Sequence, residues 1–318
     1  MNKRLVITLG DPFGIGPEIV VKAFAQMKDA FPPSVICGNK EDLEKACNAL
    51  HVSPFWSEDV SSPDPIVLDN CYSFIDSSSK VQERGRAVLS MLDRAMEWID
   101  SGDGLALVTC PIDKSVVRSV DPEFVGHTEY LALKNHKERS IMMMSNAHFN
   151  VVLLTGHVAL KDVSSKITVE SMVSIVHQTQ QSLQQHFGIH NPRIAVLGLN
   201  PHAGEIQKHS EEKEIFAPAI QTLRDQGVLI EGSFSADSFF SHHRGNFDLV
   251  ISPYHDQGLI AVKYEGLDTV INTTLGLDFV RCSPGHGVAY DIQGKGIANA
   301  SSLIRALKVA QTGTLSSL

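Results

Sequence analysis

Three histidines stand where a catalytic metal site would need them, each just after an apolar run typical of a buried strand. His157 ends FNVVLLTGH, His202 ends RIAVLGLNPH, and His255 lies in DLVISPYHDQG. Ligands of open α/β sheets bind beyond the carboxyl ends of the strands, so we expect these imidazoles to converge there. Neutral imidazoles favour Zn, Fe or Co, and three protein ligands with one open position form a catalytic site. A single histidine is more often a hydrogen-bonded non-ligand, but three at strand ends favour metal binding.

A second group of residues suits the binding of an anion. Lys263, Asn272 and Arg281 interrupt apolar sequence in AVKYEG, VINTTLG and FVRCS. A cation within an apolar strand is costly unless it is paired, and a phosphate or carboxylate would pair it. His127 and Thr128 stand at a predicted helix start, with Thr128 as its cap, and would add donors. Structural salt bridges explain the same residues equally well, so both interpretations stay open.

The glycine-rich stretch HGVAYDIQGKGIAN, from His286 to Asn299, is the most informative segment for a cofactor. Its glycines allow close backbone approach, and Asp291 could accept hydrogen bonds from a ribose diol. A carboxylate there would repel a 2′-phosphate, which favours NAD over NADP. A plain glycine-rich connection is the alternative. GDPFGIGPE is a poor dinucleotide fingerprint, because Ile19 takes the third glycine position.

The elements that position these residues alternate between strand and helix. The predicted strands are Leu5–Leu9, Ser34–Cys37, Ile66–Asp69, Leu105–Thr109, Ile141–Ser145, Asn150–Leu154, Ile194–Leu199, Thr269–Thr273 and Phe279–Cys282. The predicted helices include Glu41–Leu50, Gly85–Ser101, Thr168–Phe187, Glu211–Asp225 and about Ser301–Ala310. Such alternation predicts an α/β architecture with a largely parallel sheet.

Composition narrows the class of protein. The chain has 318 residues, a formal charge of −9 and a pI near 5.8. That balance argues against a nucleic-acid or anionic-membrane partner, although an acidic protein can still hold a basic pocket for a small anion. No apolar run is long enough for a signal peptide or a membrane span. The five cysteines are odd in number and form no CxxC, so we expect a reduced, cytoplasmic protein.

Along nearly its whole length the chain resembles the 4-hydroxythreonine-4-phosphate dehydrogenase family of vitamin B6 biosynthesis. GDPFGIGPE, CPIDK, GHTEYLA, TGHVALKDV, GLNPHAGE, SADSFF, YHDQGLIAVKY, INTTLGLDFVRCS and HGVAYDIQGKG follow the family's order, and NPHAGE and YHDQG are highly specific. The resemblance implies two α/β lobes around a central cleft, as in isocitrate and isopropylmalate dehydrogenases. It implies a discontinuous cofactor lobe of about 1–123 with 270–318, and a dimerisation and metal/substrate lobe of about 124–269.

The resemblance also implies roles for residues at matching positions. It makes His157, His202 and His255 the ligands of a divalent metal (Zn, Co or Mg). Its substrate-binding positions correspond to His127, Thr128, Lys263, Asn272 and Arg281, and its cofactor loop contributes His286, Gly287, Asp291 and Asn299. The family is homodimeric with active sites built from both subunits, and we expect His255 to complete a site whose other two histidines belong to the opposite subunit.

The implied reaction is NAD-dependent oxidation of 4-phosphooxy-L-threonine. The metal would lower the pKa of the substrate hydroxyl, and a base would take its proton. Lys263, Asp256 and Asp237 are the candidates for this base. The resulting β-keto acid would decarboxylate to 3-amino-1-hydroxyacetone 1-phosphate, a precursor in pyridoxal phosphate biosynthesis.

Three departures from the family pattern keep alternatives open. Cys110 replaces a glycine, Gly285 replaces an acid before the loop histidine, and Ile206 with Gln207 replaces a glycine pair after NPHAGE. A sister dehydrogenase of D-threonate or D-erythronate 4-phosphate would use the same metal and phosphate residues. Three histidines would also suit a metal-dependent phosphohydrolase, but a hydrolase would not need the HGVAYDIQGKG loop. A non-catalytic binding protein is disfavoured by the retained histidines and anion-binding residues.

Overall fold

The computed structural model describes residues 3–76 and 79–315. The chain divides into two compact units. Of the described residues, the first comprises those up to Arg139 together with Leu277–Gly313, and the second comprises Ser140–Gly276 with Thr314 and Leu315. Both units combine strands and helices, so the predicted α/β class is confirmed.

The strands are short and mostly buried. They are β1 (Arg4–Thr8), β2 (Ser34–Gly38), β3 (Ile66–Asn70), β4 (Gly104–Thr109), β5 (Ile141–Ser145), β6 (Asn150–Leu153), β7 (Ile194–Leu197), β8 (Ile230–Phe234), β9 (Leu249–Ser252), β10 (Ile271–Leu275) and β11 (Arg281–Pro284). Their side chains make up much of the core, which explains the near-continuous apolar runs in the sequence.

The α-helices follow the strands along the chain. They are α1 (Gly16–Met27), α2 (Lys40–Leu50), α3 (Val81–Asp100), α4 (Lys114–Arg118), α5 (His127–Lys134), α6 (Val163–Lys166), α7 (Val169–Phe187), α8 (Ala217–Asp225), α9 (Ala236–His242), α10 (His255–Lys263) and α11 (Ser301–Thr312). Short 3₁₀ turns are Lys28–Ala30, Leu160–Asp162, Pro201–Gly204, Leu267–Thr269 and Tyr290–Ile292, and a π-helical turn, Glu212–Phe216, precedes α8.

In the first unit the strand order is β3-β2-β1-β4-β11, and every neighbouring pair is parallel. The helix α1 begins directly after the turn that follows β1, with Pro17 in its first turn, where its missing N–H costs nothing. The carboxyl ends of β1, β4 and β11 therefore lie at one edge. The loops that follow these three strands carry GDPFGIGPE, CPIDK and HGVAYDIQGKG.

In the second unit the strand order is β10-β5-β6-β9-β7-β8. The predicted parallel arrangement holds for β6, β9, β7 and β8, whereas β5 runs antiparallel to both β10 and β6. A core cluster fills the space around these strands: Met144, Phe149, Val151, Leu153, Ala195, Leu197, Phe239, Val250, Leu259, Val262 and Val270. It fixes α9 and α10, the helices that carry SADSFF and YHDQG.

Several local expectations are wrong in detail. The two strands expected at Thr269–Thr273 and Phe279–Cys282 each start two residues later, because a 3₁₀ turn occupies the residues before β10 and a glycine-containing turn separates β10 from β11. Thr128 does not cap α5, since the cap residue is Gly126 and the helix begins at His127. The segment predicted as one helix from Glu211 begins with a π-helical turn. The strand β8 was not expected at all.

Two further observations concern membrane-spanning helices and cysteines. Within residues 3–76 and 79–315 no helix combines the length and apolarity needed to cross a membrane. The five cysteines are all free thiols.

Candidate metal and anion-binding sites

The structure brings His157 and His255 together in the second unit. Their ring centroids lie 5.6 Å apart with an interplanar angle of 40°. The cause is the pairing of the two strands that precede them. β6 and β9 are parallel neighbours with Leu153 opposite Ser252, so both strands end at the same edge of the sheet. The Thr155 hydroxyl donates to the Pro253 carbonyl at 2.7 Å and ties the two exits together.

Asp256 fixes the orientation of the His255 ring. His255 is the first residue of α10, not part of a free turn, and its Nδ1 lies 2.7 Å from Asp256 Oδ1. When Nδ1 donates this hydrogen bond, the lone pair of Nε2 is left for a ligand, as in metal sites where a carboxylate orients a coordinating histidine. Of the three candidates for the base, Asp256 is therefore already engaged.

His202 lies on a separate turn of the same unit. It is exposed, and it lines a cavity of about 960 Å³ together with Asp237 and Asp256. The Ser235 hydroxyl donates to Asp237 Oδ1 at 2.7 Å. This hydrogen bond is the main reason why the pKa of Asp237 is lowered.

The residues present fit a divalent metal only in part within one chain. Within the described ranges, 3–76 and 79–315, no three His, Cys, Asp or Glu side chains are close enough together to hold one ion. One chain thus supplies the neighbouring pair of His157 and His255. Imidazole donors suit Zn or Co, and a catalytic site needs a third protein ligand.

The first unit holds a cluster of polar side chains around the buried cation Arg281. This residue lies on β11 with 1% of its surface exposed, and its guanidinium donates to the Thr109 hydroxyl at the end of β4. Burial lowers the pKa of Arg281 to about 10, so it is still a cation at neutral pH. A buried guanidinium presents a planar fork of donors that matches a phosphate or a carboxylate.

His127 belongs to the same cluster. Burial lowers its pKa well below the ordinary value, and the positive charges of Arg281 and Lys114 lower it further, so the ring is neutral. Its Nε2 is buried and has no hydrogen-bond partner among the residues that the structure describes. Thr128 follows in the first turn of α5. The ring therefore offers an unused polar atom next to two cations.

Sequence reasoning missed Lys114 in this cluster. A Cβ placed on Gly126 would lie 3.1 Å from Lys114 Cε, 3.2 Å from Lys114 Nζ and 3.1 Å from Glu129 Oε2. Gly126 therefore leaves room for the lysine beside His127. The signal was present in CPIDK, the loop after β4, which ends in a lysine at the start of α4.

Lys263 and Asn272 lie in the second unit. Lys263 is the last residue of α10 and is partly exposed. Asn272 is on β10, opposite Met144, and its Oδ1 is buried without a hydrogen-bond partner within the described part of the chain. An amide oxygen in this state can accept from a ligand donor.

Hydrogen bonds from neighbouring loops hold the glycine-rich loop between β11 and α11 in place. The Tyr290 hydroxyl lies 2.9 Å from Asp11 Oδ2 and 3.0 Å from Asp113 Oδ2. Arg84 donates to Asp11 Oδ1 at 2.9 Å and balances the two carboxylates. These contacts join the loops after β1, β4 and β11, and the sequence alone did not indicate them.

A second fastening holds the later part of that loop. Glu18, 6% exposed, accepts from the Ala298 N–H at 2.8 Å, and Lys22 donates to the carbonyls of Gly296 and Ala298 at 2.8 and 2.6 Å. Glu18 and Lys22 form an ion pair one turn apart on α1. This pair therefore anchors a loop that lies as many as 280 positions later in the sequence.

The residues predicted to contact the cofactor occupy this loop. His286 Nδ1 lies 3.1 Å from the Gly287 carbonyl, and its Nε2 is buried with no partner among the described residues. Asp291 is exposed in the 3₁₀ turn. Asn299 is also exposed, but its Oδ1 accepts from the Ser301 N–H at 2.9 Å, so it stabilises the start of α11.

The chain is similar to known proteins along nearly its whole length. The model of the family described as pyridoxal phosphate biosynthetic protein PdxA matches residues 30–310. A 4-hydroxythreonine-4-phosphate dehydrogenase of Sulfurihydrogenibium sp. (strain YO3AOP1) is 39% identical over 96% of this chain and 97% of its own length. A crystal structure of a 4-hydroxythreonine-4-phosphate dehydrogenase from Burkholderia phymatum superposes with a TM-score of 0.81 at 32% identity, covering 98% of each chain.

A solved structure with another named activity is also similar. The terephthalate 1,2-cis-dihydrodiol dehydrogenase of Burkholderia xenovorans LB400 superposes with a TM-score of 0.68 at 25% identity, covering 99% of each chain. The family match and the full-length relatives agree with the motif order. The chain belongs to the pyridoxal phosphate biosynthetic protein PdxA family and is a dehydrogenase.

Proposed function

We propose that this dehydrogenase oxidises 4-phosphooxy-L-threonine with NAD and a divalent metal, yielding a β-keto acid that decarboxylates to 3-amino-1-hydroxyacetone 1-phosphate. The observation that carries the proposal is the contact between His157 and His255, in a chain whose relatives are named for this substrate. Two imidazoles at one sheet edge suit a metal-assisted oxidation of a hydroxyl group.

The metal would be held by His157 and His255 of one chain and by His202 of the partner subunit. This partition differs from the expected one, in which His255 stood alone, because the structure pairs His157 with His255 on one chain. A bound Zn, Co or Mg ion would lower the pKa of the substrate hydroxyl. Asp256 would keep the His255 lone pair directed outward.

The phosphate of the substrate is assigned to the cluster in the first unit. Arg281 would provide the guanidinium fork, Lys114 a point charge, and neutral His127 and Thr128 hydrogen-bond donors. A neutral imidazole donates from one nitrogen, and the orphaned Nε2 of His127 is the one placed to do so.

The remaining substrate roles fall on the second unit. Asn272 would accept from a donor group of the substrate through its buried Oδ1. Lys263 keeps its assignment as a substrate-binding residue. The proton acceptor would be Lys263, because an engaged carboxylate is a poorer base. Asp256 is occupied by the His255 ring, and Asp237 accepts from the Ser235 hydroxyl and has a lowered pKa.

The glycine-rich loop would bind NAD, which accepts the hydride when bound. His286 and Gly287 open the loop, Asp291 would accept from the ribose hydroxyls, and Asn299 would support its end. The two fastenings described above hold this backbone in place, so the cofactor would meet a largely preformed surface.

We further propose a homodimer formed through the second unit. Large apolar side chains of this unit are exposed: Leu160 at 70%, Ile206 at 81%, Ile260 at 67% and Tyr264 at 86%. Ile260 and Tyr264 lie on α10 and its end, the helix that begins with His255. Covering this surface by a second copy would bury the apolar residues and bring a second set of histidines near the first.

The decisive experiment measures NADH formation from 4-phosphooxy-L-threonine with Zn, Co or Mg and after chelation. Formation of NADH that chelation abolishes and metal restores is the expected result. No NADH in the presence of each metal contradicts the proposal. Light scattering of the same sample tests the dimer, and a monomer at micromolar concentration contradicts that part.

A sister dehydrogenase acting on D-threonate or D-erythronate 4-phosphate is the second candidate. The departures at Cys110, Ile206 and Gly285 from the family pattern are the reason to keep this candidate, since the metal and phosphate residues would be the same for either substrate. Parallel assays compared by kcat/KM decide between the substrates, because specificity is a ratio of those constants. Release of inorganic phosphate without NAD would point instead to a phosphohydrolase.

A further inference from the structure

The turn that carries His202 has an unusual backbone. His202 (φ 51°, ψ 34°) and Ala203 (φ 51°, ψ 40°) both adopt the left-handed conformation, and Gly204 follows at φ 71°. For residues other than glycine this conformation is unfavourable, because the Cβ atom approaches the following carbonyl oxygen. Two such residues in succession persist only where surrounding contacts hold them, and this is the segment that contains a predicted metal ligand.

A single buried carboxylate supplies those contacts. Glu212, 5% exposed, accepts from the Asn200 backbone N–H through Oε1 at 2.7 Å and from Asn200 Nδ2 through Oε2 at 3.0 Å. The two bonds grip the residue two positions before His202 by its main chain and its side chain. Glu211 adds a third bond, accepting from Asn200 Nδ2 at 2.7 Å.

Two glycines make room for this carboxylate under the turn. A Cβ on Gly204 would lie 2.3 Å from Glu212 Oε2, and a Cβ on Gly198 would lie 3.2 Å from Glu212 Oε1 and 2.7 Å from Ala203 Cα. The carboxylate therefore fills the space between both arms of the turn.

We propose that Glu212 is a positioning residue for His202: its buried carboxylate holds the turn 200–204 in the left-handed conformation that presents the imidazole. This inference rests on the proposed function, in which His202 is a metal ligand. Glu212 then acts on metal affinity only through His202. Removing its charge loosens the turn, and the imidazole loses its fixed direction.

The test compares metal binding by E212Q with that of wild type, H202A and the double variant E212Q/H202A. E212Q keeps the size of the side chain but loses the charge and one acceptor oxygen. E214Q is the matched control, since Glu214 is exposed and contacts His209. Calorimetric titration with Zn²⁺ and the visible absorption of bound Co²⁺ are measured on each full-length protein, and thermal unfolding without metal checks the fold.

We expect E212Q to bind Zn²⁺ about 10- to 100-fold more weakly than wild type, the usual effect of losing a residue that orients a ligand. E214Q should bind like wild type, and E212Q/H202A should bind no more weakly than H202A. The Co²⁺ spectrum of E212Q should approach that of H202A.

Unchanged affinity in E212Q, or a further loss in E212Q/H202A relative to H202A, overturns the positioning role while leaving the metal site intact. Failure of wild type to bind Zn²⁺, Co²⁺ or Mg²⁺ overturns the proposed function and this inference with it. If E212Q does not fold, N200A removes both side-chain bonds from the turn and is measured in the same way with and without H202A.

Discussion

His157 and His255 lie side by side, with ring centroids 5.6 Å apart, although ninety-seven positions of sequence separate them. Their contact follows from the parallel pairing of β6 and β9, because both strands end at the same edge of the sheet. Neither histidine belongs to the core cluster of the unit, so replacing one of them does not remove a side chain from that cluster.

Replacing His255 with alanine should abolish metal-dependent oxidation while the protein stays folded. The side chain is 35% exposed and forms a hydrogen bond only with Asp256 among the contacts described, so unfolding free energy should change by no more than about 0.5 kcal/mol. Zn²⁺ titration and urea unfolding measure both effects. Normal metal affinity in this variant would show that His255 is not a ligand.

Replacing Arg281 with lysine should weaken the binding of a phosphorylated substrate. Lysine offers a point charge in place of a planar fork, and loss of hydrogen bonds to a charged group costs about 1.5–3 kcal/mol, or roughly 10- to 150-fold in affinity. The KM for the phosphorylated substrate should rise accordingly and that for NAD should not. R86K, at an exposed arginine, is the control. An unchanged KM would exclude a phosphate role.

Replacing Tyr290 with phenylalanine should raise the KM for NAD about 2- to 10-fold with little change in kcat. The substitution removes the hydroxyl that lies between Asp11 and Asp113, and a typical hydrogen bond contributes about 0.5–1.5 kcal/mol. The ring that Arg84 faces is kept. Y72F removes a hydroxyl that donates to Asp42, outside the glycine-rich loop, and serves as control. Steady-state kinetics with varied NAD decide the matter, and a changed kcat at saturating NAD would indicate another role.

Replacing Asp42 with asparagine should change how stability depends on pH. Burial raises the pKa of Asp42 from 3.8 to about 6, although a hydrogen bond from Tyr72 opposes the shift. Between those values the folded protein holds a proton that the unfolded chain has released. Stability from this group is therefore full below about pH 4 and is lost as the pH rises through about 6.

D42N should flatten that dependence, because asparagine can still accept from Tyr72 but does not titrate. At pH 7 the variant should be more stable than wild type, by at most about 3 kcal/mol from a shift of roughly two pKa units. Urea unfolding at pH 4.5 and pH 7 provides the comparison. If the free energy of unfolding changes equally between these two pH values in both proteins, Asp42 does not titrate in this range.

The sequence alone determined most of the architecture and part of the candidate site. Apolar runs separated by amphipathic helices are enough to predict parallel strands, since buried strands need continuous apolar side chains. His157 and His255 were found because each follows such a run, and the carboxyl ends of parallel strands meet at one edge. Arg281 was found because a cation inside an apolar strand demands a partner.

Only the tertiary structure decided which distant residues support those side chains. Nothing in the sequence distinguishes Glu212 from the other acidic residues near it. Its hydrogen bonds with Asn200 form only because the π-helical turn packs against the turn that carries His202. The place of Lys114 beside His127 likewise depends on the missing side chain of Gly126. Periodicity reports which face of an element is buried, whereas hydrogen bonds between loops depend on distances that are set when the whole chain packs.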